Sequence, residues 1–353
     1  MKDRMPISTF QIAATYIGTV VGAGFASGQE VLKFFIAFGL GGVWGIVAAT
    51  LLFFFFGYAV LLLGNKLRAK SHLEVVRFTN GKGIGTVIDG IITVFLFGAL
   101  AAMIAGAGAI VNEQFGLSSQ WGTVGMAAIT LATVLAGTKG VVNAISTVVP
   151  FLLFFVVLIA LHSLLFNPIT NEEIVLAQNL QGTAPNWLIA AINYASYNLV
   201  LAVAVLGPVG AKAGSKRKCY RGALWGALGL GVGISCIYIA LLTNIVDTSG
   251  LEVPMIAIAS NLSNGIKILY AVILFAEVYT TAVGNLYGLV RRLSGKESPS
   301  FRMAAGLIIL AFGVSQFGFS NMIQYLYPAV GYGGLLFFAG ILCVWVQKKN
   351  AIR

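Results

Sequence analysis

Glu277 is the clearest candidate for chemistry, because this acid lies within the apolar run 268–290. Thr280 and Thr281 follow one turn later, and residues three and four apart share a helix face. If the run spans a membrane, a carboxylate there is costly unless it is neutral or partnered. Three partners stay open: a sodium ion, a proton on the carboxyl group, or a cationic group of a solute. The non-functional alternative is a hydrogen bond to another helix.

A glycine-rich segment is the second candidate. Residues 18–30 read GTVVGAGFASGQE, near the middle of the apolar stretch 8–38. That stretch would be about 45 Å long as one helix, against a bilayer core of about 30 Å. Glycine weakens helices, so we predict a break whose free backbone groups can bind an ion or solute. The alternative is a packing face, since Gly24 and Gly28 form a GxxxG motif.

Other polar residues within apolar runs have weaker assignments. Residues 193–198 read NYASYN and predict a second break, with an interfacial aromatic belt as the alternative. The role of Glu30 stays open, because Lys33 lies one turn later and can pair with it. His72 is expected to be solvated in a loop, and Asp89 to be an acid near a helix start.

Composition sets the class of the molecule. The 353 residues are 58% hydrophobic and only 9% charged, whereas soluble proteins carry roughly a quarter charged residues. An ordinary soluble domain is therefore excluded, and the net charge of +11 is better explained by loops facing the cytoplasm than by nucleic acid. The three cysteines are too few and too scattered for a disulfide framework or a metal site.

The apolar runs predict an all-α integral membrane protein of about ten transmembrane helices. The predicted spans are 8–38, 42–64, 85–112, 122–137, 141–166, 186–210, 221–246, 265–290, 302–320 and 322–346. Nearly all of the 22 Lys and Arg residues fall on one side if both termini are cytoplasmic, which is the orientation we predict in the cell membrane. Five spans in 1–166 and five in 186–353 make two halves of opposite sense, as in inverted repeats.

Two stretches carry a resemblance to a known family. Residues 22–30, GAGFASGQE, and 194–198, YASYN, are similar to the YkvI-like bacterial membrane proteins. The ten spans and the glycine break resemble the amino acid–polyamine–organocation superfamily with its LeuT-type fold. This resemblance covers nearly the whole chain and implies a 5+5 inverted repeat with helices 1 and 6 broken.

The resemblance also implies site residues. Backbone carbonyls and hydroxyl groups would hold sodium, and backbone amides would hold the substrate. The implied ion ligands are Gly18, Val21, Glu277, Thr280 and Thr281, and the implied substrate amides are those of Ala23 and Gly24. This chain departs from the pattern at Glu277, which replaces a small residue. This departure leaves open whether Glu277 binds sodium, a proton or a basic solute. Proton-coupled relatives place a lysine at the ion site in the fifth span, and the absence of lysine from 141–166 therefore favours sodium.

The function favoured by these residues is secondary active transport. We expect a sodium-coupled symporter of an amino acid or related small amine, working by alternating access, with Na⁺ or H⁺ as coupling ion and no other cofactor. The residues expected to bind substrate are Gly22, Ala23, Gly24, Ser196, Tyr197 and Asn198, and the segment 253–262 is expected to cover the site from outside. The alternatives are a proton-coupled transporter of a cationic solute, a ligand-sensing receptor and a channel. An enzyme is not expected, and the expected partners are a small organic solute and the lipid bilayer.

Overall fold

The computed structural model describes residues 7–136, 139–294 and 301–347, with side chains from residue 148 onward in the helix that begins at Lys139. Several cations used to predict the orientation lie outside the described side chains: Lys2, Arg4, Lys139, Lys296, Lys348, Lys349 and Arg353.

Every regular element in these residues is helical. The helices are α1 (Thr9–Val20), α2 (Ala23–Ser27), α3 (Gln29–Phe34), α4 (Gly41–Leu67), α5 (His72–Phe115), α6 (Ser119–Ala136), α7 (Lys139–Phe166), α8 (Asn171–Gln178), α9 (Trp187–Lys212), α10 (Lys216–Leu242), α11 (Ile245–Thr248), α12 (Pro254–Ser260), α13 (Asn264–Ser294), α14 (Phe301–Ser315), α15 (Phe319–Asn321) and α16 (Tyr327–Gln347). A 3₁₀ turn, Ile36–Phe38, follows α3, and a π-helical turn, Met322–Leu326, precedes α16.

Seven helical stretches of the described chain are long and apolar enough to cross a membrane: Gly41–Leu67, His72–Phe115, Val148–Phe166, Trp187–Lys212, Lys216–Leu242, Asn264–Ser294 and Phe319–Gln347. The other three predicted spans correspond to the interrupted stretch α1–α3, to α6, and to the 15-residue α14. The count of ten spans therefore stays a prediction.

Local capping sets where several helices begin. Ser8 and Gln11 form a reciprocal capping box at α1, and Ser71 and Glu74 form one at α5. The second box starts α5 well before residue 85, where the apolar run predicts its start. Gly81 (φ +71°, ψ −179°) interrupts α5, and Asp89 lies about two turns after this interruption, in keeping with an acid near the start of the third span.

The helices cross between two faces of the bundle. We call the face where α1 begins the near face and the opposite one the far face. At the near face, the Ile7 amide donates to the Lys212 carbonyl at the end of α9 (3.2 Å). At the far face, the Tyr238 hydroxyl of α10 donates to the Gly39 carbonyl, just before α4 (2.7 Å).

Small residues bring the central helices together. In α4, Gly64 lies so close to Gly207 of α9 that a Cβ on it would be 2.9 Å from the Gly207 carbonyl carbon. The neighbouring Asn65 side chain donates to the Gly210 carbonyl at 3.0 Å. Such close backbone approach holds helices together in lipid, where apolar side chains gain little by leaving the solvent. It fixes α9 beside α1 and α4 at the centre of the bundle.

Candidate functional site

The first predicted span is interrupted within its glycine-rich segment. Regular helix ends at Val20, and Val21 (φ −68°, ψ 114°) and Gly22 (φ −135°, ψ −173°) are extended before α2 starts at Ala23. Among the described residues, neither the Val21 carbonyl nor the Gly22 amide makes a backbone hydrogen bond. Since a continuous helix would bond that amide to Gly18, the Gly18 carbonyl also lacks its helical partner.

A second change of direction follows at Gly28. Its φ of +89° lies in the left-handed region that favours glycine, and it separates α2 from α3. A Cβ at this position would lie 2.9 Å from the Met255 side chain of α12. Residue 28 therefore needs glycine for both its backbone angle and the close approach of α12.

Glu30 turns back from α3 towards α2. Its side chain is 4% exposed, and a Cβ on Gly24 would lie 2.9 Å from its carboxyl carbon. The Tyr197 hydroxyl of α9 donates to Glu30 Oε2 at 2.6 Å. No ion pair between Glu30 and Lys33 is present in the described chain, so the alternative that the two residues neutralise each other is wrong.

The break predicted in the sixth span is wrong, because α9 is continuous from Trp187 to Lys212. Four polar side chains of this patch donate hydrogen bonds without unwinding the helix: Asn193, Ser196, Tyr197 and Asn198. Asn193 donates to the Pro328 carbonyl of α16 (3.0 Å), and Ser196 donates to the Gly331 carbonyl (2.7 Å). The α16 backbone therefore satisfies groups that we expected to line a gap in α9.

The three residues expected to line the wall opposite the glycine break have different surroundings. Tyr197 reaches Glu30, whereas Ser196 faces α16 and the Asn198 amide donates to the Tyr194 carbonyl of its own helix (3.0 Å). Tyr197 thus links α9 to the segment that carries Gly22, Ala23 and Gly24.

On α13, Glu277 is 2% exposed, and its Oε2 has no hydrogen-bond partner in the described chain. Thr281 is 3.5 Å from Oε1, while the Thr280 hydroxyl donates to the Glu277 carbonyl (3.1 Å). The threonine hydroxyls and the acid are therefore neighbours, as their spacing predicts, and one carboxylate oxygen remains free to bind something else.

Glu277 lies on the face of α13 that contacts α2. The Tyr270 hydroxyl donates to the Ala26 carbonyl of α2 at 2.6 Å. Glu277 lies seven residues later on the same face, about 10 Å nearer the near face. The first span runs in the opposite direction, so the level of Glu277 matches that of Gly18 and Val21 rather than that of Ala26.

The segment 253–262 covers the far-face end of this region. Both carboxylate oxygens of Glu113 accept backbone amides just before α12, from Glu252 at 2.6 Å and Val253 at 3.1 Å. The Gln29 side chain donates to the Leu251 carbonyl, which ties the same loop to α3. The helix α12 is thus held over α2 and α3 from two sides.

At the near face, His72, Asp89 and Arg292 form a charged cluster that the sequence analysis did not predict. His72 Nε2 lies 2.8 Å from Asp89 Oδ1, and Arg292 of α13 pairs with the same carboxylate and donates to Thr93 (3.1 Å). The expectation that His72 is merely solvated is therefore wrong. Asp89 lies 17 residues after His72 and far from Arg292 in sequence. No local spacing pattern therefore predicts this cluster.

Comparisons with known proteins agree with this arrangement. No protein-family model matches the chain. Three solved transporters share its fold. MhsT in complex with L-phenylalanine matches with a TM-score of 0.62 and 16% identity, covering 95% of this chain and 89% of that one. An outward-open Na⁺-coupled sialic acid symporter matches with a TM-score of 0.61 and 14% identity (95% of this chain, 79% of that one), and inward-facing Mhp1 with a TM-score of 0.60 and 14% identity (99% and 80%). These folds belong to membrane transporters of LeuT type and not to enzymes.

Two proteins of Bacillus subtilis (strain 168) match along their whole length. YyaD is 29% identical over 335 residues, covering 94% of this chain and 96% of its own. YkvI, an uncharacterized membrane protein, is 32% identical over 346 residues, covering 98% of both chains. At that identity and coverage, the chain belongs to the YkvI family of membrane proteins.

Proposed function

We propose that this protein is a secondary active transporter, a sodium-coupled symporter that brings an amino acid or related small amine into the cell by alternating access. The observation that carries the proposal is the interruption at Val21 and Gly22, which leaves backbone groups free inside the membrane. Unsatisfied backbone groups cost several kcal/mol in a bilayer, so such a break persists where a ligand can use it.

The ion site is assigned to the end of α1 and the facing side of α13. The carbonyls of Gly18 and Val21 lie at the negative end of the α1 dipole, which attracts a cation. Glu277, with one carboxylate oxygen unpartnered, lies at the same level on α13, and Thr280 and Thr281 add hydroxyl oxygens. Carbonyl, hydroxyl and carboxylate oxygens suit a hard cation such as Na⁺.

The solute site is assigned to the other side of the interruption. Gly22, Ala23 and Gly24 offer backbone amides at the start of α2, and Tyr197 approaches them from α9 through Glu30. Ser196 and Asn198 support α9 through their own hydrogen bonds. In this proposal α12 closes the far face, which is extracellular, while both termini and the near face are cytoplasmic.

Uptake into proteoliposomes tests the proposal. Purified protein is reconstituted, and a panel of radiolabelled amino acids and amines is offered with an imposed sodium gradient, an imposed proton gradient or neither. We expect accumulation above equilibrium of at least one solute with the sodium gradient inward, and loss of accumulation when an ionophore collapses the gradient.

Three alternatives predict other outcomes in the same vesicles. Accumulation driven only by the proton gradient indicates proton coupling, which the unpartnered oxygen of Glu277 also permits. Solute binding without accumulation under either gradient indicates a ligand-sensing receptor. Equilibration without dependence on any gradient indicates a channel, and it contradicts coupled transport.

A further inference from the structure

The carboxylate of Glu30 lies where a solute carboxylate would otherwise approach α2. It packs directly on Gly24, because glycine leaves the space that a side chain would fill. The Tyr197 hydroxyl donates to its Oε2 at 2.6 Å. A negative group of the protein therefore already lies against α2, and it would repel a second carboxylate.

Glu30 lacks a cationic partner among the described residues. The ion pairs recorded there join Asp89 to His72 and Arg292, on the near face. A carboxylate that is 4% exposed and has no cationic partner is poorly compensated for its lost hydration. A positively charged ligand would supply the missing compensation.

Aromatic rings from four helices pack around Tyr197, whose hydroxyl binds this carboxylate, and we call the five rings the ring cluster: Phe34, Phe95, Tyr194, Tyr197 and Tyr327. Tyr197 is central, with its ring centroid 5.7 Å from Phe34, 6.0 Å from Phe95, 5.5 Å from Tyr194 and 5.2 Å from Tyr327. Aromatic faces attract ammonium groups, most strongly in a desolvated site. The rings touch one another, so entry of a ligand requires at least one ring to rotate.

The hydroxyl of Tyr194 lies at the same site. Tyr194 is fully buried, its ring centroid is 5.5 Å from that of Tyr197, and its hydroxyl interacts with the Glu30 carboxylate. The acid therefore has two tyrosine hydroxyls beside it.

We propose that Glu30 and the ring cluster form a subsite for an organic cation, an amine or quaternary ammonium group, and that the solute needs no carboxylate of its own. The proposal rests on the proposed function in placing the solute beside Gly24, and it narrows the solute class. Glu30 acts as the counter-ion, and the rings around Tyr197 exclude water and add cation–π attraction.

Equilibrium binding to purified protein in detergent tests this without any gradient. Isothermal titration compares matched pairs that differ by a carboxylate: phenethylamine with phenylalanine, agmatine with arginine, and choline with betaine. At least one amine or ammonium member is expected to bind more tightly than its carboxylated partner. Glu30→Gln keeps an acceptor for Tyr197 but removes the charge, and it is expected to weaken that binding by about 10- to 100-fold. Glu172→Gln, at an exposed acid of α8, is the matched control and is expected to bind normally.

Two Tyr197 variants separate the ring from its hydroxyl. Tyr197→Phe keeps the aromatic face and is expected to keep most of the affinity, whereas Tyr197→Leu is expected to lose it. Thermal unfolding of each variant shows whether it is folded.

The proposal is overturned by tighter binding of the carboxylated members, by failure of every cationic member to bind, or by unchanged affinity in folded Glu30→Gln. It is also overturned if Glu30→Gln abolishes only the pH dependence of binding, since Glu30 then carries a proton. Cation binding that depends on Glu30 without gradient-driven uptake supports this subsite while contradicting the proposed transport. Gradient-driven uptake of carboxylated solutes that is unaffected in Glu30→Gln supports the proposed transport and contradicts this subsite.

Discussion

At the scale of single residues, Gly24 and Glu30 act as one unit. The absence of a side chain at residue 24 gives the Glu30 carboxyl group its place against α2, where Tyr197 completes its surroundings. Glu30 of α3 thereby adds a side chain to the proposed solute site, which otherwise consists of backbone amides. The size of residue 24 should consequently govern the position of the acid.

Gly24→Ala tests this dependence. The added methyl group would overlap the Glu30 carboxyl group, and overpacking of this kind costs about 1–3 kcal/mol. We expect solute uptake to fall by about tenfold or more, with an apparent Tm a few degrees lower. Gly90→Ala is the control, because nothing lies within 4 Å of a Cβ there. Uptake by Gly24→Ala equal to that of the control would contradict the coupling of the two residues.

Glu277 is the second residue with a testable role. Glu277→Gln keeps the size of the side chain and a carbonyl oxygen near Thr281, but it removes the charge. We expect the protein to remain folded, solute binding without a gradient to persist, and sodium-driven uptake to fall by about tenfold or more. The measurement is initial uptake rate against sodium concentration, with Glu172→Gln as the control. An unchanged sodium dependence would remove Glu277 from the ion site.

At the scale of elements, the far face is organised around the loop before α12. Three parts of the chain hold this loop: Glu113 of α5 accepts its amides, Gln29 of α3 donates to Leu251, and the Ser320 amide lies 3.4 Å from Glu252 Oε1. Because α3 carries both Gln29 and Glu30, we expect movement of the loop before α12 to displace Glu30 in the proposed solute subsite. Such a connection suits alternating access.

The pH dependence of stability provides a test at this loop. Burial raises the pKa of the half-buried Glu252 carboxyl group above its ordinary value of 4.5, while backbone amides of Ser320 and Phe319 partly offset the shift. A carboxyl group with a raised pKa in the folded state favours folding while protonated. That contribution is complete below pH 4.5 and is lost as the pH rises through the folded-state pKa.

The substitution Glu252→Gln removes this pH-dependent loss of folding stability. At pH 7.5 its apparent Tm should exceed that of the unaltered protein by about 1–3 °C, and the difference should shrink towards zero near pH 4. Thermal scans in detergent across this range measure it, with the exposed Asp247→Asn as the control. A lower Tm at pH 7.5 would mean that the hydrogen bonds of the charged form outweigh its lost hydration.

At the scale of the whole molecule, orientation follows from the distribution of charge. Among the described residues, the cations within 66–82 and 212–221, together with Arg291, Arg292 and Arg302, belong to near-face ends of helices. The cluster of His72, Asp89 and Arg292 adds an ion pair that ties α5 to α13 at this face. The positive-inside rule therefore predicts that the near face is cytoplasmic.

Cysteine labelling in intact cells tests the orientation. In a background with the three native cysteines replaced, Glu172→Cys on the far face should react with an impermeant maleimide added outside. Lys216→Cys on the near face should react only after the cells are permeabilised. Both positions are exposed. The opposite pattern would reverse the predicted topology and the direction of the proposed transport.

The sequence alone determined the features that depend on local chemistry. In lipid each helix must satisfy its own backbone, so apolar runs of sufficient length identify spans without knowledge of their neighbours. The ends of α4, α7 and α9 lie within a few residues of the predicted spans. Clustered glycines weaken a helix by their own entropy, so the interruption near Gly22 could also be predicted.

Tertiary structure decided what the polar side chains do. The patch 193–198 has the composition of a break, yet α9 stays helical because α16 accepts hydrogen bonds from Asn193 and Ser196. Lys33 is near Glu30 in sequence, but the acid turns to Tyr197, which comes from another helix. In each case the partner lies more than 130 residues away, and the packing of helix faces, which no local pattern encodes, selects it.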